Sequence, residues 1–535
     1  MLQSQNEHPT LFSLFEGHAD DKPLLILADG GIVTYGEVRE RALAVAAGLE
    51  QLGLKRGDRV AVMLPNMPEW LVVAAACWRL GLGIMAMNVR LGAKEVGDLI
   101  ARTEAKAVFY APGYRDGLSV DTLERTAAEK LTSVKLMVDC LPGARSYTPT
   151  GTISKTLAAI EQQGNVAGGM PQGAGEPNDP CLFFATSGTT SAPKLVVHVQ
   201  ERVARHARDC AETIRFVPHS KVLLAIPFCG AFGFTIAVST IAGGHTIVLM
   251  DMFDPKEAGE LVNRHGVTHV MGTNDMLDKM LKATAAERPF PTLEYYGHAN
   301  FTPGLVDLPA EADCRGVKMR GFFGLSETLA FVAAQSLEGT LERRAEGGGH
   351  LTCPTATFRI RDPESGRDLG LGEVGEIQIK TPNSMIGYLN DPVKTAEAFT
   401  EDGFLRTGDF GKIDADGGFT FISRMNDMLR IGGYLVSPVE IEDVIKSTGN
   451  IAIAQVVAVT IGQSSRPVAF VVPEGDVVLD EARILEKCRA ELAVYKVPVA
   501  IFQERSLPVT EGPNGAKVKK NELRAMAEER LAKAV

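Results

Sequence analysis

Nine residues, Thr186 to Lys194, separate two short apolar runs, Cys181–Ala185 and Leu195–Val199. The runs read as strands, so the link between them has to turn the chain within a few residues. Five of the six residues from Thr186 to Ser191 carry hydroxyls, and the sixth is Gly188. Such a loop presents many O–H donors and lets backbone N–H groups come close to an anion. Lys194 adds a fixed positive charge suited to a polyphosphate. The spacing is not that of G-x-x-x-x-G-K-[ST], because Pro193 precedes Lys194 and Leu195 follows it. A Ser/Thr-rich surface turn would have the same hydroxyl content. The ordered string Thr-Ser-Gly-Thr-Thr-x-x-Pro-Lys is far more specific.

The rest of the chain supplies a layered frame. Helical stretches such as Tyr35–Leu52 alternate with β-branched runs such as Arg59–Met63, which predicts an α/β fold. From Val222 to Met250 there is no Asp, Glu, Lys or Arg, long enough to span a bilayer. Pro227, Gly230, Gly233, Gly243, Gly244 and His245 divide it, which predicts a buried strand, a turn, a helix and another strand. Gln163–Asp179 is Gly/Pro-rich and reads as a flexible lead-in, and Gly347–Gly349 as a turn. Val374–Lys380 and Phe419–Ser423 read as strands. The end of the chain reads as a small α+β unit, with helices at Val439–Lys446 and Glu481–Leu492 and strands at Ala454–Thr460 and Pro467–Val472. The expected division falls near Arg424–Asp427, giving domains 1–425 and 426–535.

Composition removes some function classes. A chain of 535 residues suggests two to four domains. The net charge of -11 disfavours a nucleic-acid or anionic-membrane binder. The eight cysteines form no C-x-x-C and no zinc spacing, which predicts reduced thiols in a cytoplasmic protein. The first twenty residues contain Glu7, Glu16 and Asp20 and no Lys or Arg, unlike a signal peptide.

The string at Thr186–Lys194 resembles the phosphate loop of the adenylate-forming superfamily, which comprises acyl-CoA synthetases, peptide-synthetase adenylation domains and beetle luciferases. Ser191 and Leu195 stand where that family usually has glycine. The resemblance extends over nearly the whole chain. Thr34-Tyr35-Gly36-Glu37, Gly57-Asp58-Arg59-Val60 and Asn88-Val89-Arg90-Leu91 are similar to its scaffold signatures. Phe322-Phe323-Gly324-Leu325-Ser326-Glu327-Thr328 resembles its Y-G-x-T-E-T motif. That match implies Phe323 and Gly324 beside adenine, hydroxyls from Ser326 and Thr328, and Mg²⁺ on Glu327 with Ser326. Arg406-Thr407-Gly408-Asp409 is similar to its T-G-D motif, which implies Asp409 on the ribose hydroxyls.

Ser423-Arg424-Met425-Asn426-Asp427 through Gly432-Gly433 resembles the family's hinge motif. It implies Arg424 on ribose or phosphate, Asn426 as pivot and Gly432 and Gly433 along a thiol tunnel. Pro438, Glu440 and Glu442 match the continuation. Asn514-Gly515-Ala516-Lys517, counted back from Leu523-Arg524, implies Lys517 as the catalytic lysine, with Ala516 in the place of glycine. Ile226–Gly233 and Tyr296-Gly297-His298-Ala299-Asn300 are similar to segments lining the family's acid pocket. They imply Phe228, Gly230, Phe232, Gly297, His298, Ala299 and Asn300 around the acid. Phe228, Phe232 and Phe234 would form an apolar wall. His298 and Asn300 would meet a polar substituent, although His298 reads equally well as satisfying a buried backbone group.

The resemblance implies a large N-terminal domain of layered sheets and helices with a small mobile α+β C-terminal domain. It implies an ATP-dependent acid–CoA ligase working through an acyl-adenylate on an aromatic or medium-sized acid. Thr186, Ser187, Gly188, Thr189, Thr190 and Lys194 would hold the phosphates. The expected ligands are a small carboxylic acid, ATP, Mg²⁺ and coenzyme A, with a homodimer as candidate assembly and no membrane span. A freestanding loader of a carrier-protein thiol, a luciferase-like oxygenase and a non-catalytic nucleotide-binding relative are the alternatives. The last draws on the departures at Ser191, Leu195, Gly230, Ser423 and Ala516.

Overall fold

The turn required between the two apolar runs joins an antiparallel pair, Pro180–Thr186 with Lys194–Val199, whose last matched residues are Thr186 and Lys194. The computed structural model describes residues 9–186, 193–299, 305, 307–425, 429–431, 434–461, 464–475, 477–512 and 515–533. Ser187, Gly188, Thr189, Thr190, Asn300, Asn426, Gly432 and Gly433 lie outside the described residues. The pair belongs to an eight-stranded sheet. Its order runs Gly387–Tyr388, Lys194–Val199, Pro180–Thr186, Gly83–Ala86, Arg59–Met63, Ala107–Tyr110, Leu136–Asp139, Ile153–Thr156. The strands Gly83–Ala86 and Ala107–Tyr110 are buried along their whole length, as parallel strands covered on both faces must be.

A thirteen-stranded sheet runs from Thr357–Arg361 at one edge to Ile32–Thr34 at the other. Its parallel part includes His269–Thr273, Tyr295–Ala299 and Met319–Phe323. Its antiparallel part includes Val374–Lys380, Leu405–Ile413 and Phe419–Arg424. The uncharged stretch from Val222 resolves as expected, into Lys221–Leu224, helix Ala231–Ala242 and Thr246–Leu249. Every residue of that helix from Ala231 to Ile241 is buried, so its apolarity serves the core. Among the described residues, no helix is long and apolar enough to cross a membrane.

The scaffold motifs have local physical causes. Thr34 caps helix Tyr35–Gln51 by accepting from the Glu37 N–H at 3.1 Å, and Glu37 accepts from the Thr34 N–H at 2.7 Å. This reciprocal pair satisfies two otherwise orphaned donors. Tyr35, fully buried, donates to the His245 carbonyl at 2.8 Å. Gly164 has no room for a side chain, because a Cβ there would overlap the Ala44 carbonyl of the neighbouring helix.

Gln163–Asp179 is not the flexible lead-in expected. Residues up to Val166 continue helix Leu157–Val166, and the remainder is pinned. Gly173 donates to Glu50 at 2.7 Å and accepts from Arg79 at 2.6 Å, and Gly175 donates to the Arg79 carbonyl at 2.8 Å. The glycines there permit close backbone approach rather than motion: a Cβ on Gly175 would overlap the Trp78 carbonyl.

The C-terminal residues form a three-stranded sheet, Ile451–Ile461, Ser464–Pro473 and Ile501–Gln503, with helices Pro438–Lys446, Glu481–Glu491 and Lys520–Lys533. Strand alternation splits its core in two. Val456 packs in a cluster with Leu429, Ile441 and Ile484, whereas Val457 packs with Phe470, Leu523 and Ala527. Among the described residues, none of the buried apolar clusters combines residues from before 426 with residues after it.

Candidate active site

Lys194 opens the strand that leaves the hydroxyl-rich loop, and the neighbouring strand Gly387–Tyr388 pairs with it, Tyr388 opposite Val196. This register brings Tyr388 to the lysine. Lys194 Nζ donates to the Tyr388 hydroxyl at 2.8 Å and stands 4.3 Å from the ring centroid, within the range of a cation–π contact. The Tyr388 O–H donates in turn to Glu327 Oε1 at 2.7 Å. Lys194 and Glu327 are themselves 3.9 Å apart. Two residues expected to act on phosphate and cation are thus joined through a third that the sequence analysis did not single out.

Glu327 sits in the single turn Ser326–Thr328 at the end of strand Met319–Phe323. The turn is tied down from two sides. The Met385 N–H donates to the Glu327 carbonyl at 2.8 Å, and His198 Nε2 lies 2.8 Å from the Ser326 carbonyl. A carbonyl only accepts, so Nε2 carries the proton. Burial lowers the His198 pKa to about 4 against the raising effect of that carbonyl, which keeps the ring neutral near pH 7. Gly324 is required by packing, because a Cβ would overlap the Ala330 backbone. Just past the turn, Leu329 and Ala330 both take left-handed conformations, φ 58° and 61°, unusual for residues with side chains. Thr235 holds the Leu329 carbonyl with a 2.6 Å hydrogen bond.

Asp409 and Arg424 are direct cross-strand partners. Arg424 Nε is 3.0 Å from Asp409 Oδ1, and Asp409 is 1% exposed. The Asp409 N–H donates to Thr407 Oγ1, which donates to the Ile377 carbonyl at 2.6 Å. Phe323 packs edge-on to Phe419 at 5.3 Å and near Phe421 at 5.7 Å. One apolar cluster holds Val196, Phe323, Leu325, Tyr388, Leu405 and Phe419, so the lysine–glutamate group and the strands of the Asp409–Arg424 pair rest on a common base.

The residues expected around an acid divide. Phe228 is 1% exposed and stacks on Trp70 at 5.1 Å, and Phe234 packs against Trp70, Trp78 and Phe184. Asn66 locks their loop: it donates to the carbonyls of Ile226 and Met250 and accepts from the Phe228 N–H at 2.8 Å. Gly230 caps helix Ala231–Ala242, and Phe232 meets Phe322 edge-on at 6.4 Å. Phe322 also crowds Gly297, where a Cβ would strike its ring. His298, 1% exposed, is paired across the sheet with Gly272 and Gly321, and Ala299 ends that strand half-buried. Lys517 stands in strand Gly515–Val518, opposite Thr510 of Val509–Gly512.

Tyr388, His198 and Asn66 were missed by sequence reasoning. His198 left a trace, as a lone imidazole on the same face of an apolar strand as Lys194 and Val196. Among the described residues, no group of three or more His, Cys, Asp or Glu could hold a metal ion. Glu327 would offer a cation one carboxylate, with other oxygens coming from substrate and water. That donor set suits Mg²⁺, which is commonly held this way with substrate phosphates.

A large α/β frame and a separately cored C-terminal unit accompany the lysine that follows the hydroxyl-rich string. The chain belongs to the AMP-binding enzyme family, whose model matches residues 15–389, and the family's C-terminal domain model matches 440–512. It is 27% identical over 504 residues to feruloyl-CoA synthase from Amycolatopsis sp, covering 92% of this chain and 94% of that one. It is 28% identical over 499 residues to the long-chain-fatty-acid–CoA ligase FadD13 from Mycobacterium tuberculosis, covering 92% of each. ATP-bound MatB from Rhodopseudomonas palustris superposes with a TM-score of 0.82 at 26% identity, covering 97% of this chain and 99% of that one.

Proposed function

We propose that the protein is an ATP-dependent carboxylic acid–CoA ligase that forms acyl-CoA, AMP and pyrophosphate through an acyl-adenylate. The observation that carries this reading is the contact of Lys194 with Tyr388 and Glu327 at the mouth of the loop. A cation and a carboxylate this close together are the pair a magnesium polyphosphate would need, which supports the reading.

In the first step a carboxylate oxygen of the acid attacks the α-phosphorus, the bond from that phosphorus to the bridging oxygen breaks, and pyrophosphate leaves. Such chemistry is mostly positioning and charge stabilisation. Lys194, Thr186 and the loop hydroxyls bind the β- and γ-phosphates. Glu327, with Ser326, would hold Mg²⁺, which would supply neutralisation of the phosphate charge. Phe323 and Gly324 border the adenine, and Asp409 and Arg424 bind the ribose. Lys517 bridges the carboxylate and the α-phosphate.

In the second step the thiol sulfur attacks the acyl carbonyl carbon, the bond to AMP breaks, and the thiol proton goes to solvent. Between the steps the C-terminal domain, 426–535, turns about Asn426. It withdraws Lys517 and brings Gly432 and Gly433 to the thiol. The separate apolar cores on either side of 426 support such a rigid rotation. The acid is aromatic or medium-sized, in keeping with the aromatic side chains at Phe232 and Phe322 beside Gly297 and with the feruloyl-CoA synthase relative. Eight free cysteines, six of them buried, accord with a cytoplasmic location.

The test is acid-dependent release of pyrophosphate and AMP from MgATP across aromatic and aliphatic acids, with and without CoA. AMP together with an acyl-CoA product is expected. Acyl-adenylate that accumulates and is not turned over by CoA would replace CoA with a carrier-protein thiol. No nucleotide binding at all would overturn the reading.

A further inference from the structure

We infer that Tyr388 is a positioning residue for the nucleotide step, orienting the Glu327 carboxylate toward the cation and holding Lys194 until a polyphosphate arrives. The inference rests on the roles given above to Lys194 and Glu327 and adds a residue to them.

The hydrogen-bond polarity at this oxygen is fixed. A phenol has one proton, and that of Tyr388 goes to Glu327 Oε1 at 2.7 Å while Lys194 donates to the same oxygen at 2.8 Å. Donors therefore point one way, from Lys194 through Tyr388 to Glu327, and no phenol proton remains for a phosphate. The lysine and the glutamate, 3.9 Å apart, are beyond hydrogen-bond range of each other and are joined through the phenol.

The tyrosine is firmly placed. Its N–H donates to Thr395 Oγ1 at 2.9 Å, and that hydroxyl donates to the Asp391 carbonyl at 2.7 Å. Gly387, at φ 149°, lies so close to Thr395 that a Cβ would press on its side chain. The partners differ in freedom. The Lys194 side chain is 36% exposed and the Glu327 side chain 11%. When a polyphosphate enters, the exposed ammonium can move onto it. The buried carboxylate stays in place, with Oε1 held by the phenol.

The experiment measures ATP binding by calorimetry, without acid or CoA so that nothing turns over, in Mg²⁺ and in a chelator. Tyr388→Phe keeps the ring and removes the hydroxyl. It is expected to weaken binding in Mg²⁺ about fivefold or more, as loss of a hydrogen bond to a charged group should, and to leave binding in the chelator within about twofold. Adding Tyr388→Phe to Glu327→Gln should cost nothing further, because the two act as one unit. Equal weakening in both conditions, no weakening, or additive losses in the double variant would overturn the proposal. If Tyr388→Phe lowers the melting temperature, Tyr388→Leu separates the causes. Positioning gives the same Mg²⁺-selective loss in both variants, and packing gives larger, unselective losses in Leu. Wild-type binding that ignores Mg²⁺, or Lys194→Ala that binds ATP normally, would instead remove the underlying site reading.

Discussion

At position 324 a single methyl group separates two outcomes. Gly324 lies against the Ala330 backbone, where a Cβ cannot fit, and three residues later comes Glu327. Gly324→Ala is expected to destabilise the fold by about 1–3 kcal/mol, the usual cost of overpacking. By shifting the Ser326–Thr328 turn it should also slow pyrophosphate release at least about tenfold. Urea unfolding and the release assay check the two effects. Lys517→Ala tests the other end of the reaction. Loss of one charged contact to the reacting groups is expected to slow adenylation about 10²-fold or more, while thioester formation from supplied acyl-AMP stays within a few-fold. Equal loss of both steps would remove Lys517 from its role. The string around Gly324 was legible in the sequence, and the close Ala330 backbone gives a physical reason for the glycine. Tyr388 was not, because its partner Lys194 is 194 residues away and only the pairing of two short strands brings them together.

Elements whose local pattern agrees with their surroundings were read closely. Arg59–Met63 and Val374–Lys380 have the expected bounds, and the first long helix ends one residue early, at Gln51. The stretch from Gln163 misled because Gly and Pro have two meanings. They mark loops that move and also backbone that other groups approach closely, and here Arg79, Glu50 and Trp78 make the second apply. The helix opening at Tyr35 offers a test at this scale. Thr34→Ala removes the capping hydroxyl and should cost about 1 kcal/mol, read as a shift in the urea midpoint with an unchanged slope. At the link between the two parts, Asn426→Pro is expected to slow thioester formation several-fold more than adenylation, since proline fixes one of the dihedrals a pivot must change. Equal slowing of both steps would place the pivot elsewhere.

Over the whole molecule, buried histidines link stability to pH. Burial lowers the pKa of His198 to about 4 and of His206 to about 3, below the ordinary value near 6.5. The unfolded chain therefore takes up protons that the folded one refuses. The stability these rings contribute is complete above about pH 6.5 and is lost as pH falls from there toward pH 4 and 3, at roughly 1.4 kcal/mol per unit for each ring. Asp209, whose carboxyl is raised by burial, offsets part of that loss. Denaturant unfolding between pH 7 and 5 should show a falling midpoint, and a flat profile would mean that these rings gain protons without cost.

The separation of the apolar clusters also has a consequence for how the chain is made. Phe419–Arg424, paired with Leu405–Ile413 and with Gly348–Leu351, is the last strand in sequence to join the large sheet. Among the described residues, the C-terminal clusters begin at Leu429. During synthesis, which runs from the N-terminus, the larger core can therefore close while the smaller part is still being translated. Nascent chains arrested just beyond that strand, once it has cleared the ribosome, should already resist protease up to Arg424.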